Sequence, residues 1–289
     1  MRAEKEMMDL ILSTAQQDDR VRAVCLNGSR TNPNAPKDLF QDYDIVYIVT
    51  EIESFKQTPA WIDRFGERIV MQKPDDSSIF PANEGRYAYL MQFMDGNRID
   101  LTLLPIANLA AYLSEDKLTV CLLDKDGRIP KLAPPTDEDY RIKPPTAESF
   151  RDCCNEFWWV CPYIAKGLWR GEILYGLYHI EQAVRPMLLM MLEWLVGIRT
   201  DFSVSAGKCD KYLQQYLHPD EWDMLMDTYA SGDYAAAWRA TFAMCTLFRT
   251  AGHEVGAHFG YPYPEQDDMR VCAYLDDIRN LPSDASEIR

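Results

Sequence analysis

The chain lacks any apolar run long enough to span a membrane. Its greasiest stretch, Met187 to Ile198, follows Arg185, is interrupted by Glu193 and falls well short of the roughly 20 residues a spanning helix needs. It reads as a buried core helix, and no membrane partner is expected. No secretory leader is expected, because "MRAEKEMMDLILSTAQQDDR" is too charged and its apolar run too short. The eight cysteines form no CxxC pair, so reduced core thiols in a cytoplasm are expected rather than a disulfide framework. Positive charge is scarce, with 30 Lys and Arg against 45 Asp and Glu and a net charge of −15. That weighs against a nucleic-acid partner, whose phosphates need clustered cations, and is compatible with a cationic substrate.

Several catalytic motifs are absent too. Neither G-x-G-x-x-G nor G-x-S-x-G occurs. "HEVGAH" at 253–258 spaces its histidines five apart, off the common helix face a zinc site needs. "SAGKC" at 205–209 has Phe202 and Cys209 where a P-loop needs Gly and Ser or Thr. Cys153 and Cys154 lie within a helical pattern and are read as packed, not catalytic.

What is present is a soluble composition, 47% hydrophobic and 26% charged, over 289 residues, enough for one or two domains. Residues 1–18 put Met8, Ile11, Leu12 and Ala15 at helical spacing. Short β-rich runs follow at Val21–Leu26, Asp44–Val49, Arg68–Gln72, Tyr87–Met94, Arg98–Leu104 and Thr119–Leu123. "DGNR" at 95–98 reads as a hairpin turn between two of them. Four prolines in "KLAPPTDEDYRIKPPT" mark a boundary. Beyond it Glu148–Arg170, Glu172–Val196, Pro219–Ala230 and Asp233–His258 carry apolar residues three and four apart. Pro186 is expected to kink its helix. The fold expected is α+β: a mixed-sheet domain over residues 1–145 with flanking helices, then an all-helical domain over 146–289.

The chemistry concentrates in "LNGSRTNPNAPKDLFQDYDIVYIV". Side chains alternate along a strand, so Asp42 and Asp44 share a face, with Cα atoms roughly 6–7 Å apart. Like charges that close need a positive partner, and Mg²⁺, which takes oxygen ligands, is the natural one. The alternative is a solvated turn just before the strand. In "RIDLTLLP" Asp100 shares a face with Thr102 while Ile99, Leu101 and Leu103 take the other. A lone Asp in so apolar a strand needs a partner, a metal or an exposed edge. Gly28 and Ser29 follow the strand at Val21–Leu26. Such a turn either cradles phosphate oxygens with its N–H groups and hydroxyl or is ordinary.

This combination of Gly-Ser, a gap of about a dozen residues, D-x-D and a third Asp resembles the nucleotidyltransferase superfamily typified by DNA polymerase beta. The wider wording, "LNGSR", "FQDYDIVY", "MQKP", "IDLTLLP", "PTDEDY", "CCNEFWWVCPYIAKGLWRGEILYG" and "YPEQD", is similar to the aminoglycoside 6-adenylyltransferases, as far as about Asp268. The resemblance implies transfer of AMP from ATP to a hydroxyl of a streptomycin-type aminoglycoside, releasing pyrophosphate. It implies that Asp42 and Asp44 hold Mg²⁺ against the phosphates. Asp100 would ligate a second ion, accept the sugar hydroxyl's proton, or both; Glu84 and Asp95 are fallback bases. Gly28 and Ser29 would grip the triphosphate. Arg30 either helps or is a surface arginine. From the helical part Lys166 either reaches a phosphate or lies on a solvated basic face, and Glu156, Trp158 and Tyr163 are expected to meet the acceptor. For each tryptophan a core role is the stronger reading. "YPYPEQDD" at 261–268 reads as a loop of acids and aromatics suited to a cationic sugar. Another small hydroxyl acceptor, a protein side chain, or a non-catalytic nucleotide-binding module are the alternatives. Monomer and homodimer are both left open.

Overall fold

All six β-rich runs form strands of one sheet in the computed structural model, which describes residues 1–79 and 85–288. They are β1 (Val21–Asn27), β2 (Tyr43–Val49), β3 (Arg68–Gln72), β4 (Tyr87–Phe93), β5 (Arg98–Pro105) and β6 (Val120–Asp124). The spatial order is β3-β4-β5-β2-β1-β6. Only the central pair β2 and β5 runs parallel; the other neighbours are antiparallel. The β4–β5 hairpin turns at Asp95–Gly96–Asn97, as "DGNR" indicated, with Gly96 at φ 87°.

Alternation sorts the sheet's two faces. Tyr43, Ile45, Tyr47 and Val49 of β2 and Ile99, Leu101 and Leu103 of β5 fill one core with Met7, Ile11 and Ala15 of α1 (Glu4–Gln17). The helix is rotated slightly from the expected face: Met7 and Thr14 are buried and Met8 and Leu12 half-buried. Its apolar arc is wide, and the buried Tyr47 hydroxyl, donating to the Ile11 carbonyl at 2.6 Å, helps set the rotation. The short α2 (Glu53–Gln57) adds Phe55 to this core. On the other face Val46, Ile48 and Leu104 meet Leu109 and Tyr112 of α3 (Leu109–Glu115). That apolar patch reaches no further towards the start of β2 than Val46, so the end carrying Asp44 is left to polar groups.

The chain divides into two units, Met1–Asp139 and Tyr140–Arg289. The second contains α4 (Ala147–Trp169), α5 (Ile173–His179), α6 (Arg185–Arg199), α7 (Pro219–Asp227), α8 (Tyr234–Phe259) and α9 (Glu265–Asn280). Thr146 caps α4 by accepting from the Ser149 N–H at 3.0 Å, and Ser149 Oγ accepts from the Thr146 N–H at 2.9 Å. Phe157 of α4 stacks on Phe248 of α8 with centroids 3.8 Å apart. Pro186 does not break the helical run. The turn before it, Ile180–Val184, widens to a π-helix and α6 restarts with the proline in its first turn, where a missing N–H costs least.

Two expectations are corrected. Residues 265–268 are not loop but the first turn of α9, which the acid-rich run "EQDDMRVCAYLDDIRN" concealed; it buries only Asp268, Leu275 and Ile278. The cysteines form no disulfide among the described residues, but not all are core: Cys209 is exposed, and Cys121 and Cys272 are half-buried. No helix among the described residues is long and apolar enough to cross a membrane.

Candidate active site

Parallel pairing of β2 with β5 sets Asp44 directly beside Asp100, while antiparallel pairing with β1 sets Asn27 on its other side. Asp42 precedes β2 by one residue. The three carboxylates thus gather at the end of β2 and β5 left open by the apolar patch, and all three are half-exposed.

Gly28 closes the site from β1. It has φ 72°, and a Cβ built there would lie 2.2 Å from Asp44 Oδ2. Glycine is therefore required twice, for the left-handed backbone and for the close approach. The turn it begins, Gly28–Arg30, is anchored by the buried Thr31, whose hydroxyl donates to the carbonyls of Gly28 at 2.9 Å and Leu118 at 2.8 Å. Asn27 is fixed likewise, donating to Thr119 Oγ1 at 2.9 Å and accepting from the Tyr112 hydroxyl. Ser29 is half-exposed in this turn, and its carbonyl accepts from Gln41 Nε2 at 3.2 Å.

Arg30 is neither a surface arginine nor aimed at the open end of the site. Its side chain is only 11% exposed. The guanidinium donates to the carbonyls of Asp42 at 2.9 Å and Gln41 at 2.7 Å and lies 3.7 Å over the Tyr43 ring. It clamps the end of the 31–42 loop, and so fixes where D-x-D enters the sheet.

Arg98 was missed by sequence reasoning. Its guanidinium forks onto Asp100, with both nitrogen–oxygen distances 2.8 Å, and its Nε lies 3.5 Å from Asp42 Oδ2. The signal was available: the alternation that puts Asp100 and Thr102 on one face puts Arg98 there as well. Asp100, Asp42 and Asp44 together favour the charged form of Arg98, in that order. Among the described residues no three His, Cys, Asp or Glu side chains already form a cage for a metal ion. The donor set is nonetheless all carboxylate oxygen, the chemistry that suits Mg²⁺.

Asp95 has a different occupation. In the hairpin turn it accepts from Arg2 Nε at 2.6 Å, from the Arg2 N–H at 3.1 Å and from Asn97. The Arg2 hydrogen bond above all holds its carboxyl well below the usual carboxylate range, the wrong direction for a proton acceptor near neutrality. Glu84 lies outside the described residues.

In the helical unit, Trp158, Tyr163 and Lys166 come together along α4. With Asn155, Trp159 and residues of α9 that include Arg270 and Tyr274 they line a cavity of about 470 Å³. Trp158 is 2% exposed, set edge-on to Phe157 and Phe248. It is a core residue with one edge on the cavity. Trp159, by contrast, is 64% exposed and not core. Lys166 Nζ lies 4.4 Å from the Tyr163 ring centroid, and that ring stacks on His179. Glu156 is exposed and does not line the cavity. Asp268, in the supposed substrate loop, is buried and held by Arg249 and the Tyr263 hydroxyl.

A mixed sheet that sets carboxylates on two adjacent strands beside a Gly-Ser turn is the framework expected of a nucleotidyltransferase. Comparison with a family model and with curated sequences agrees. The family model for streptomycin adenylyltransferase matches residues 1–278. An aminoglycoside 6-adenylyltransferase of Campylobacter jejuni is 46% identical over 95% of each chain. One from Bacillus subtilis (strain 168) is 46% identical over 93% of this chain and 95% of its own. A crystal structure of an aminoglycoside 6-adenyltransferase from Bacillus subtilis aligns with 97% of this chain and 100% of its own at 41% identity, with TM-score 0.49. The chain belongs to the streptomycin adenylyltransferase family and is therefore an enzyme of the nucleotidyltransferase class.

Proposed function

We propose that this enzyme transfers AMP from ATP to a hydroxyl of an aminoglycoside, of the streptomycin type and at its 6-position, releasing pyrophosphate and so conferring resistance. The observation that carries this reading is the register pairing of Asp44 with Asp100 against Gly28. It puts carboxylates and a small-residue turn at one sheet end, where ion-bridged phosphates could be held.

Asp42, Asp44 and Asp100 would hold Mg²⁺, which when bound neutralises charge developing on the departing pyrophosphate. The protein's own groups do the positioning. Gly28 leaves room for the Asp44 carboxylate and Thr31 ties down the turn. Arg30 fixes the entry of D-x-D into β2. Ser29 and the backbone of its turn are proposed to grip phosphate oxygens. Asp100, with both oxygens engaged by Arg98, suits a cation-holding role better than proton abstraction. In the helical unit, the aromatic rings and the two cations Lys166 and Arg270, set against the one acid Asp267, suit an aromatic anion, and Lys166 is proposed to serve the nucleotide's phosphates. The net charge of −15 favours approach of a polycationic acceptor. An intracellular location suits an enzyme that consumes ATP.

The test is pyrophosphate release by purified protein with ATP, Mg²⁺ and a panel of aminoglycosides. Release that depends on streptomycin is expected. Turnover only with another aminoglycoside would reassign the acceptor, and no turnover with any of them would overturn the reading.

A further inference from the structure

The start of β5 carries a cation as well as an acid. Arg98 and Asp100 are two residues apart on one face of the strand, and the Arg98 fork takes both oxygens of Asp100. Its Nε also pairs with Asp42 across the parallel strand junction at 3.5 Å. One guanidinium therefore offsets much of the mutual repulsion of carboxylates that the sheet register forces together. A divalent ion approaching Asp100 needs those same oxygens. Each oxygen keeps a second lone pair, but a dication seated on it would lie within a few ångströms of the guanidinium, and the two cations repel.

We infer that Arg98 and the divalent ion are alternative occupants of Asp100: Arg98 keeps the carboxylates in place until the ion displaces it. This rests on the Mg²⁺-dependent nucleotidyltransferase reading above. The geometry permits the exchange. The Arg98 side chain is 41% exposed and Asp100 22%, so the arginine's long stem can swing into water without burying its charge. The released guanidinium stays tethered beside the carboxylates and can then face an anion there, the phosphates of the nucleotide. Arg98 is thus a positioning residue, and its removal should help the bare ion while harming the ordered site.

The experiment measures binding of Mn²⁺ alone, without nucleotide, by electron paramagnetic resonance, to wild type, Arg98→Met and Arg98→Lys. The methionine variant removes the competing charge. Lysine keeps the charge but can no longer fork onto both oxygens. The expected order of affinity is Arg98→Met tightest, then Arg98→Lys, then wild type. The first should exceed wild type by about two- to fivefold, the range a partly exposed ion pair commands. A second readout is thermal melting. Without metal Arg98→Met should melt below wild type, and saturating Mg²⁺ should narrow or reverse the gap. Should Arg98→Met fail to fold, the lysine variant alone decides, since it too must bind Mn²⁺ more tightly than wild type. Equal or weaker binding by folded variants would overturn the exchange while leaving the metal site standing. No Mn²⁺ binding by wild type or either variant would overturn the metal reading itself, and this inference with it.

Discussion

Asp44 and Asp100 are register partners on neighbouring parallel strands, so their carboxylates leave the same face of the sheet side by side. Nothing in the packing of either strand calls for this: the apolar core on that face begins at Val46. Two acids placed where neither contributes to the core point to function. Asp44→Asn should fold normally, because it removes repulsion and no apolar contact. Its melting temperature should stay within a few degrees of wild type while kcat/KM for adenylyl transfer falls by roughly 10³-fold or more. Activity within tenfold of wild type would remove Asp44 from the ion site.

Gly28→Ala tests the other side of the same contact. The new methyl would sit 2.2 Å from Asp44 Oδ2, so the carboxylate or the turn must shift. The left-handed backbone adds a cost of about 1–2 kcal/mol for any residue with a Cβ. Displacement of a ligand group by about 1 Å is worth on the order of a hundredfold in rate. A urea midpoint lowered modestly, with activity lowered far more, is the expected pattern. Equal small losses in both would show that the close approach serves folding alone.

Asp268 marks a place where sequence pattern misleads. It sits in an acidic run that suggests a solvated loop, yet it is 3% exposed. It accepts from both arms of Arg249 and from the Tyr263 hydroxyl at 2.9 Å. Asp268→Asn keeps the shape but strips the charge from a buried pair. Arg249 is partly exposed and can recover some water, so the loss should lie near the lower end for such pairs, about 2–3 kcal/mol. Urea denaturation measures it. A change under about 0.5 kcal/mol would mean that Arg249 gains as much from water as from Asp268.

Glu193 supplies a pH dependence. Burial, and then a hydrogen bond and the charge of Asp210, push its carboxyl up to about 8 from the usual 4.5. Asp210 is held there by a turn with positive φ at Gly207, Cys209 and Asp210. The folded protein keeps this proton where the unfolded chain has already lost it. The stabilisation is therefore complete below about pH 4.5, declines as pH rises, and is gone once pH passes the folded value near 8. Glu193→Gln, which mimics the protonated acid, should flatten that decline. Its Tm relative to wild type should rise between pH 5 and pH 9, by about 2–4 °C for each kcal/mol of stability that wild type loses over that range. A constant difference across that range would show that Glu193 ionises normally in the fold.

The strands were legible because each repeats the same physical demand: apolar residues two apart, bounded by turn formers. The same alternation gave the facing of Asp100 and implied that of Arg98, which went unused because an arginine two residues from an aspartate is unremarkable without its partner strand. What alternation could not supply was register. Only pairing in space shows that Asp44 meets Asp100 and that Gly28 abuts Asp44. Arg30 was unreadable for a related reason. Its partners are backbone carbonyls of residues 41 and 42, which carry no sequence signature. Helix α9 escaped because its burial rests on three residues among acids, too sparse a stripe for a periodicity argument. Trp158 and Trp159 are adjacent and chemically alike, and one is core while the other is exposed. The 100° step between successive helical residues decides that.

Lys166 tests what the helical unit contributes. Its charge is not spent within the fold: the amino group lies over the Tyr163 ring, and no carboxylate pairs with it among the described residues. A cation–π contact of this kind leaves the ammonium free to bind an anion, since the ring satisfies none of its three donors. Lys166→Ala should therefore lose little stability. If the lysine binds the nucleotide's phosphates, the KM for ATP should rise by about tenfold, the worth of one charge-assisted contact. The KM for the aminoglycoside should hold steady. Lys166→Arg, which keeps the charge at similar reach, should recover much of the loss. A rise confined to the aminoglycoside KM would give this surface to the acceptor instead. Unchanged kcat and KM for both substrates would return Lys166 to an ordinary solvated surface.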